Sequence, residues 1–576
     1  MQQYFITNDF GIDFRVLKIN LGNRLDIIET LFICSECGKE YKTKRSTKNH
    51  NCKQQLSFSN DTGHINYEKA LKYLMIWISK KNITFNSIFD NDFNGFLQNI
   101  NSNFIMPPES TMRYKIHQFS SHIINKIFQK INGLSVSLLI DGVEKSKKKY
   151  QGQILFTPKQ IYFLGITKCN VETSENISQI IADTALTISR NGGHLVSVCT
   201  DNFSSNIAAL DGGPSSAQAK SKQNFFRTPC SCHTLNLAIK DIFDDKYKNI
   251  VTTVIHLLKY FKEFSEKVRS LGKIPEFKEI RWYSLSKCIS FIIAHKIELD
   301  PLNLYQYDQI QTEYDWLYID EILMSLKILM KKFEKNCFSI ADIFSNLQIT
   351  LNQLIKINEL NKRKEEVNIA QDMLNSILNR FSSTENLKLP ILAYLLTGYG
   401  LQNLNEKDQQ SLISINVAHD TFLEYSNENP EKKKLAQFFL YFLKFRKNTF
   451  LILQNTTLES FNFWENVANG GTFWTIEPQC ISLKHDEFKD ITKKFARIAI
   501  EILTVPCSEA ACERSFSHLG DILMNNKRNL GFDTLNALLV IRMNSIFLKQ
   551  DEQYSNDFIN HNLHALFQDD LIEKEL

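Results

Sequence analysis

Apolar and polar residues alternate along the segment 134-LSVSLLID-141. This period predicts a half-buried strand that ends on Asp141, with a turn at Gly142. Two further strand-like runs follow, 152-GQILFT-157 and 161-IYFLGIT-167. Residues 134–167 are therefore predicted to form three consecutive strands.

The pattern then changes to a helical period over residues 176 to 190, and a second buried strand is predicted in 194-HLVSVCTDN-202, ending on Asp201. The order is β-β-β-α-β. It resembles the order of an RNase H-like core, in which three antiparallel strands precede a helix and a parallel strand.

Helical patterns dominate the rest of the chain. Residues 65 to 130 carry helical stripes interrupted at Pro107-Pro108, and strand signals largely disappear from about 241 to 495. Compact helices return after 495, including a final one over 533–544 with Asp533 as its expected N-cap. The segment 241–495 therefore reads as an all-α domain.

Composition limits the possible classes of protein. The chain has 576 residues, 43% of them hydrophobic, which suffices for several buried cores. Its net charge of +4 neither establishes nor excludes a nucleic-acid partner. Twelve scattered cysteines indicate reduced thiols in an intracellular compartment. We expect no signal peptide and no transmembrane helix, because no run of 18 apolar residues occurs.

A cysteine cluster near the N-terminus predicts a zinc site. Cys34 and Cys37 form a C-x2-C pair, and His50 and Cys52 follow, so two thiolates on a knuckle and two ligands from a helix could complete a tetrahedral site. The alternative is a free C-x2-C knuckle with an unrelated His50 and Cys52, since the His-x-Cys spacing is short. Basic residues around the ligands predict a DNA-facing surface: Lys42, Lys44 and Arg45.

Acidic residues follow two strands that would be neighbours in an RNase H-like sheet. Asp141 and Asp201 would then lie side by side, and such carboxylates repel unless a cation lies between them. Mg²⁺ prefers oxygen ligands, and two such ions can promote phosphoryl transfer. Glu513 is the candidate third carboxylate, which would make 241–495 an insertion. Taken alone, each aspartate could instead be a turn or helix-cap residue, and the glutamate could be a solvated residue on a helix.

Five segments together resemble the hAT superfamily of DNA transposases. The C-terminal segment 513-ERSFSHLGDILMNNKRNLGFDTLNALLVIRMN-544 resembles the family's dimerisation motif. The others, in chain order, are 138-LLIDGV-143, 200-TDNFSSN-206, 230-CSCHTLNLAIKD-241 and 281-RWYS-284. The N-terminal cysteine cluster resembles a BED-type zinc finger.

The resemblance implies roles for individual residues. Asp141, Asp201 and Glu513 would form a catalytic triad that binds Mg²⁺ or Mn²⁺. Trp282 would stack on an unpaired base, although it could be a core tryptophan, and Arg281 would contact a phosphate or pair with an acid.

Other residues implied by the resemblance are structural. Cys230 and His233 would support the active site, because two ligands are too few for a metal. Four apolar residues would serve packing and dimerisation: Phe516, Leu519, Leu538 and Leu539.

The sequence therefore predicts a multidomain α+β protein with an N-terminal zinc finger and an RNase H-like α/β catalytic core interrupted by a large all-α insertion domain. The expected segments are a BED-like finger (25–56), a helical DNA-binding or linker domain (65–130), the first part of the core (131–240), the insertion (241–495), the last core helices with the dimerisation region (496–550) and a tail (551–576).

The expected function is cut-and-paste transposition in the nucleus, with Zn²⁺ in the finger, Mg²⁺ or Mn²⁺ in the core and double-stranded DNA as partner. A homodimer or higher oligomer is expected. The alternative is a domesticated or inactive descendant that binds DNA as a regulator. The intact set of three acids favours the enzyme.

Overall fold

A computed structural model describes the chain in separate stretches. The N-terminal strands, at 2–7, 13–20, 28–34 and 40–41, are described as backbone. The other described residues are 67–100, 105–169, 171–210, 213–264, 274–277, 283–295, 316–360, 368–382, 384–398, 400, 409–425, 432–449, 456–471, 485–525 and 530–548. The fold is mixed α/β and mostly helical.

The chain divides into two compact units, the first of which comprises Met1–Ser121 and Asn529–Ile541. An antiparallel sheet in this unit is formed by β1 (Gln2–Thr7), β2 (Asp13–Asn20), β3 (Ile28–Cys34) and β4 (Glu40–Tyr41), in that order. Four helices follow in the chain: α1 (Tyr67–Lys81), α2 (Phe85–Ile88), α3 (Asn91–Ile100) and α4 (Glu109–Lys130). The predicted helical character of 65–130 and its break at Pro107-Pro108 are confirmed.

The second unit, His122–Arg528 with Arg542–Leu576, contains a five-stranded sheet in the order β7-β6-β5-β8-β9. The strands are β5 (Ser135–Lys145), β6 (Lys148–Phe156), β7 (Ile161–Cys169), β8 (His194–Thr200) and β9 (Phe226–Pro229). β5, β6 and β7 are antiparallel neighbours, whereas β8 is parallel to β5 and β9 is parallel to β8. With α5 (Ser174–Arg190) between β7 and β8, the predicted β-β-β-α-β order is confirmed.

One boundary prediction is wrong, because β5 does not end at Asp141. The strand continues to Lys145, and the chain turns at Ser146 and Lys147, which both have positive φ. Gly142 lies within the strand and not in the turn, and Glu172 Oε1 approaches the position that a Cβ would occupy there. An Asp-Gly pair is a frequent turn signal, and here the glycine serves close side-chain approach within a strand.

Short helices connect and flank the last two strands. They are α6 (Ser204–Leu210), α7 (Ala217–Ser221) and α8 (Ser231–Asp241), and α8 continues into a π-helical turn at Ile242–Lys246. The backbone N–H of Cys230 donates to the carbonyl of Thr200 at 2.9 Å. This bond holds the start of α8 against the end of β8.

The following segment is helical, as predicted for 241–495. Its helices are α9 (Lys248–Phe264), α10 (Tyr283–Ala294), α11 (Trp316–Phe333), α12 (Ala341–Leu360), α13 (Ile369–Ser382), α14 (Thr384–Leu395), α15 (Gln409–Tyr425), α16 (Lys432–Thr449), α17 (Thr457–Ala468) and α18 (His485–Leu503). Trp464 is fully buried against Phe442 and Phe495, with ring centroids 5.3 and 5.4 Å away, and donates its indole N–H to Leu396 O. A packed aromatic core therefore stabilises this part of the unit.

Two further helices follow: α19 (Ala510–Asn525) and α20 (Phe532–Met543). Asp533 lies in the first turn of α20 and is not its N-cap, because the helix begins one residue earlier than predicted. Among the described helices, none combines the length and apolar character needed to cross a membrane.

Candidate active site

Two of the predicted acids start from neighbouring positions on parallel strands. Leu139 of β5 is paired with Cys199 of β8, and Asp141 and Asp201 each lie two residues beyond that pair. Parallel strands run about 4.8 Å apart, so both side chains leave the same region of the sheet. Asp201 directly follows β8, as predicted, whereas Asp141 lies inside β5.

Helix α19 brings the third acid to this region by packing on β6. Gly152 pairs in register with Asp141, and a Cβ at Gly152 would stand 3.0 Å from Phe516 Cε1. On the same helix, Cys512 places its Sγ 3.9 Å from the carbonyl oxygen of Gly152. The glycine thus lets α19 approach the strand beside Asp141, with Glu513 in the first turn of that helix.

The pKa of Asp141 shows that the carboxylates interact. It is raised well above its ordinary value, first by burial and then by the negative charges of Glu509, Glu513 and Asp201, while a hydrogen bond from Gly142 N–H opposes the shift. Like charges that raise each other's pKa create a site with a strong preference for a cation. The oxygen donors suit Mg²⁺ or Mn²⁺.

The side chains are near one another without already forming a tight coordination sphere. Within the described part of the chain, no three His, Cys, Asp or Glu side chains are arranged closely enough to hold a metal ion. Mg²⁺ binding would therefore require side-chain rotation of the carboxylates toward a shared position.

Asp201 is oriented by its own loop. Its Oδ1 accepts hydrogen bonds from Phe203 N at 2.9 Å and from Asn206 Nδ2 at 2.6 Å. Arg227 donates to Asp201 O and to the Asn202 side chain. Asp201 thus fills the turn role usual for an aspartate after a strand, and its Oδ2 accepts no hydrogen bond from the described residues.

A fourth carboxylate, which sequence reasoning missed, lies at the same site. Glu509 is only 4% exposed, and burial raises its pKa to about 7, although a hydrogen bond from the Cys230 side chain favours the charged form. The signal was available in the segment 505-VPCSEAAC-512, where one acid stands among small and apolar residues, all of which are buried. A charged residue is rarely buried, so an acid within such a run suggests a role other than contact with solvent.

Cys230 and His233 lie beside the acids in structural roles. Cys230 is fully buried at the N-cap of α8, where its Sγ accepts from His233 N at 3.4 Å. Burial lowers the pKa of His233, against the charge of Asp201. A buried capping thiol and a neutral imidazole fit support of the site better than metal ligation.

Comparison with known proteins finds one family model that matches the C-terminal part of the chain. Residues 483–545 match the hAT family C-terminal dimerisation region. This part of the chain is therefore similar to the C-terminal region of hAT transposases. No match was found among curated proteins.

The matched part of the chain corresponds to α18, α19 and α20. It includes Glu509 and Glu513, so the family's C-terminal region supplies two of the four carboxylates. The dimerisation region also indicates self-association. The predicted finger and the five-stranded sheet lie outside the match.

Four residues that were predicted to serve packing and dimerisation are buried within one chain: Phe516, Leu519, Leu538 and Leu539. Their packing role is therefore visible, and their role in self-association stays a prediction.

Several residues with predicted roles fall outside the described residues. They are Cys37, His50, Cys52, Lys42, Lys44, Arg45, Arg281 and Trp282. Cys34 is the last residue of β3, which is described as backbone. The zinc site and the base-stacking tryptophan stay predictions.

Proposed function

We propose that this chain is a cut-and-paste DNA transposase whose five-stranded sheet forms an RNase H-like core. The observation that carries the proposal is the meeting of Asp141 and Asp201 with helix α19 and its Glu513. Three acids from distant parts of the sequence interact beside the inner strands β5 and β8 of a sheet with the expected strand order. Their oxygen donors fit divalent magnesium or manganese.

In this proposal, Asp141, Asp201 and Glu513 hold the divalent ions. When bound, such ions activate a water or a DNA 3′-OH and stabilise the leaving oxygen in phosphoryl transfer. Asn206 fixes Asp201 through its 2.6 Å hydrogen bond. Phe516, seated on Gly152, fixes the helix that carries Glu513.

DNA would be held by basic groups near these acids. The β5–β6 hairpin carries Lys145, Lys147 and Lys148 at or beside its turn, and the Lys145 ammonium lies beside α19, 3.9 Å from where a Cβ would stand at Gly520. Such lysines suit phosphate contacts. In the same proposal, a Zn²⁺-bound finger recognises transposon ends, Trp282 stacks on an unpaired base, and the protein acts in the nucleus as a dimer or higher oligomer.

The test is a cleavage and strand-transfer assay with the full chain and duplexes carrying the element's own ends. We expect Mg²⁺- or Mn²⁺-dependent cleavage that falls at least about 100-fold in D141N, D201N or E513Q, with DNA binding retained. Asp183→Asn is the matched control, because Asp183 is an exposed acid on α5 of the same unit.

Two results would contradict the proposal. One is full cleavage by all three triad variants, which would place the chemistry elsewhere. The other is specific DNA binding by the wild type without cleavage in either metal, which would favour a DNA-binding regulator.

A further inference from the structure

Glu509 has a rigidly held backbone. It directly precedes α19, and its carbonyl accepts from Cys512 N at 2.7 Å. The preceding residues are bound on two sides: Cys507 O accepts from Ser231 N of α8 at 2.9 Å, and Ser508 Oγ donates to Phe333 O of α11 at 2.6 Å. The backbone position from which the Glu509 side chain extends is therefore fixed.

The Glu509 carboxylate is buried and incompletely bonded. Its Oε2 has no hydrogen-bond partner among the described residues, although the residue is only 4% exposed. A buried carboxylate oxygen without a donor has lost its hydration and gained no hydrogen bond in exchange, which destabilises the folded state. Such an atom is expected where another group completes its environment under working conditions.

The direction that the carboxylate faces is shown by its electrostatic neighbours. Among the charges that raise the pKa of Asp141, Glu509 has the largest effect, ahead of Glu513 and Asp201. The pKa of Glu509 is raised in turn by Glu513 and Asp201. The backbone agrees with this position: Cys230 N–H bonds the carbonyl of Thr200, next to Asp201, and Ser231 N–H bonds Cys507 O, so the segment that carries Glu509 lies beside the end of β8.

A cation in the cluster would relieve both problems at once. It would give Glu509 Oε2 a partner, and it would offset the repulsion between Glu509 and Asp141. The N-terminus of the 16-residue helix α19 adds a favourable field for the ionised form. A purely structural buried acid would instead be expected to have both oxygens bonded, as Asp342 does with Thr457 and Ser339.

We propose that Glu509 is a fourth carboxylate of the divalent-cation site, contributing Oε2 to metal binding together with Asp141, Asp201 and Glu513. This inference rests on the proposed function, since it adds a ligand to the same site. It differs from that function because a three-acid site would bind metal without Glu509.

The experiment is a Mn²⁺ titration of the full chain in which electron paramagnetic resonance counts free and bound Mn²⁺. Variants are E509Q, which keeps the shape and removes the charge, E509D, which keeps the charge, and D141N. Glu501→Gln is the control, because Glu501 lies on α18 eight residues earlier and is paired with His194. Melting temperatures with and without Mn²⁺ provide a second readout.

We expect E509Q to weaken Mn²⁺ affinity by about 10-fold or more and to lose most of the Mn²⁺-induced rise in melting temperature. E509D should fall between E509Q and the wild type, and Glu501→Gln should match the wild type.

Unchanged Mn²⁺ affinity in E509Q, with weakened affinity in D141N, would overturn the inference and leave the proposed function standing. Equal affinities of E509D and E509Q would also overturn it, because the charge would then be irrelevant. Absence of Mn²⁺ binding in the wild type would overturn both proposals.

Discussion

The buried carboxyl of Glu509 makes the stability of the metal-free protein depend on pH in a definite direction. Burial raises its pKa from 4.5 to about 7. Below pH 4.5 the group is protonated in the folded and the unfolded chain, so it costs nothing. Between pH 4.5 and 7 the unfolded chain releases the proton and the folded chain retains it, so stability is lost as the pH rises.

The magnitude follows from the same difference in pKa. Each pKa unit corresponds to 1.36 kcal/mol, so the full effect above pH 7 is about 3 kcal/mol. Solvent screening reduces it little, because Glu509 is only 4% exposed. Replacing Glu509 with glutamine should therefore stabilise the metal-free protein by about 3 kcal/mol at pH 8 and by about 1 kcal/mol or less at pH 5.

The assay is thermal unfolding of E509Q and wild type in EDTA at several pH values. We expect the melting temperature of the variant to exceed that of the wild type by several degrees at pH 8, with a difference about one quarter as large at pH 5. Glu501→Gln, which changes the same charge at a partly exposed position, is the control. A variant less stable than wild type at pH 8, or an equal difference at both pH values, would refute the electrostatic reasoning.

Three other substitutions test the packing around the site. Gly152→Val should lower the melting temperature and reduce metal-dependent cleavage, because a Cβ would stand 3.0 Å from Phe516 and overpacking costs about 1–3 kcal/mol; Gly213→Val, in open space, should leave cleavage unchanged. Asn206→Ala should reduce cleavage by about 10-fold or more with DNA binding retained, because Asp201 loses a charged hydrogen bond; equal cleavage would show that the bond does not position the acid. Trp464→Ala should destabilise the helical segment by about 3–5 kcal/mol in denaturant unfolding, and a loss under 1 kcal/mol would contradict its place in the aromatic core.

The order of the first four strands in the five-stranded sheet could be predicted because each of them has a clear period-2 or continuous apolar pattern. β9 escaped prediction because its four residues, FRTP, are few and include a proline. Its pairing with β8 depends on the position of the rest of the sheet, which no local pattern encodes.

The position of Asp141 shows a limit of local signals. An Asp-Gly pair usually marks a turn, yet here Gly142 makes room for a side chain 30 residues later, Glu172. Glu509 shows a second limit. The apolar run around it indicates burial, but its place beside Asp141 and Asp201 depends on the packing of residues 507 and 508 against α8 and α11, which no local pattern encodes.

The packing of α19 on β6 also determines when the protein can finish folding. Cys512 lies 360 residues after Gly152 in the chain, yet the two residues are in contact. During synthesis, the strands at 135–156 emerge long before the helix that covers them. Their apolar face therefore stays open to water while the helical segment 241–495 is being synthesised, which makes the nascent chain prone to aggregation and a substrate for chaperones. A ribosome that stops early releases a sheet without its covering helix, so incomplete products lack two of the four carboxylates.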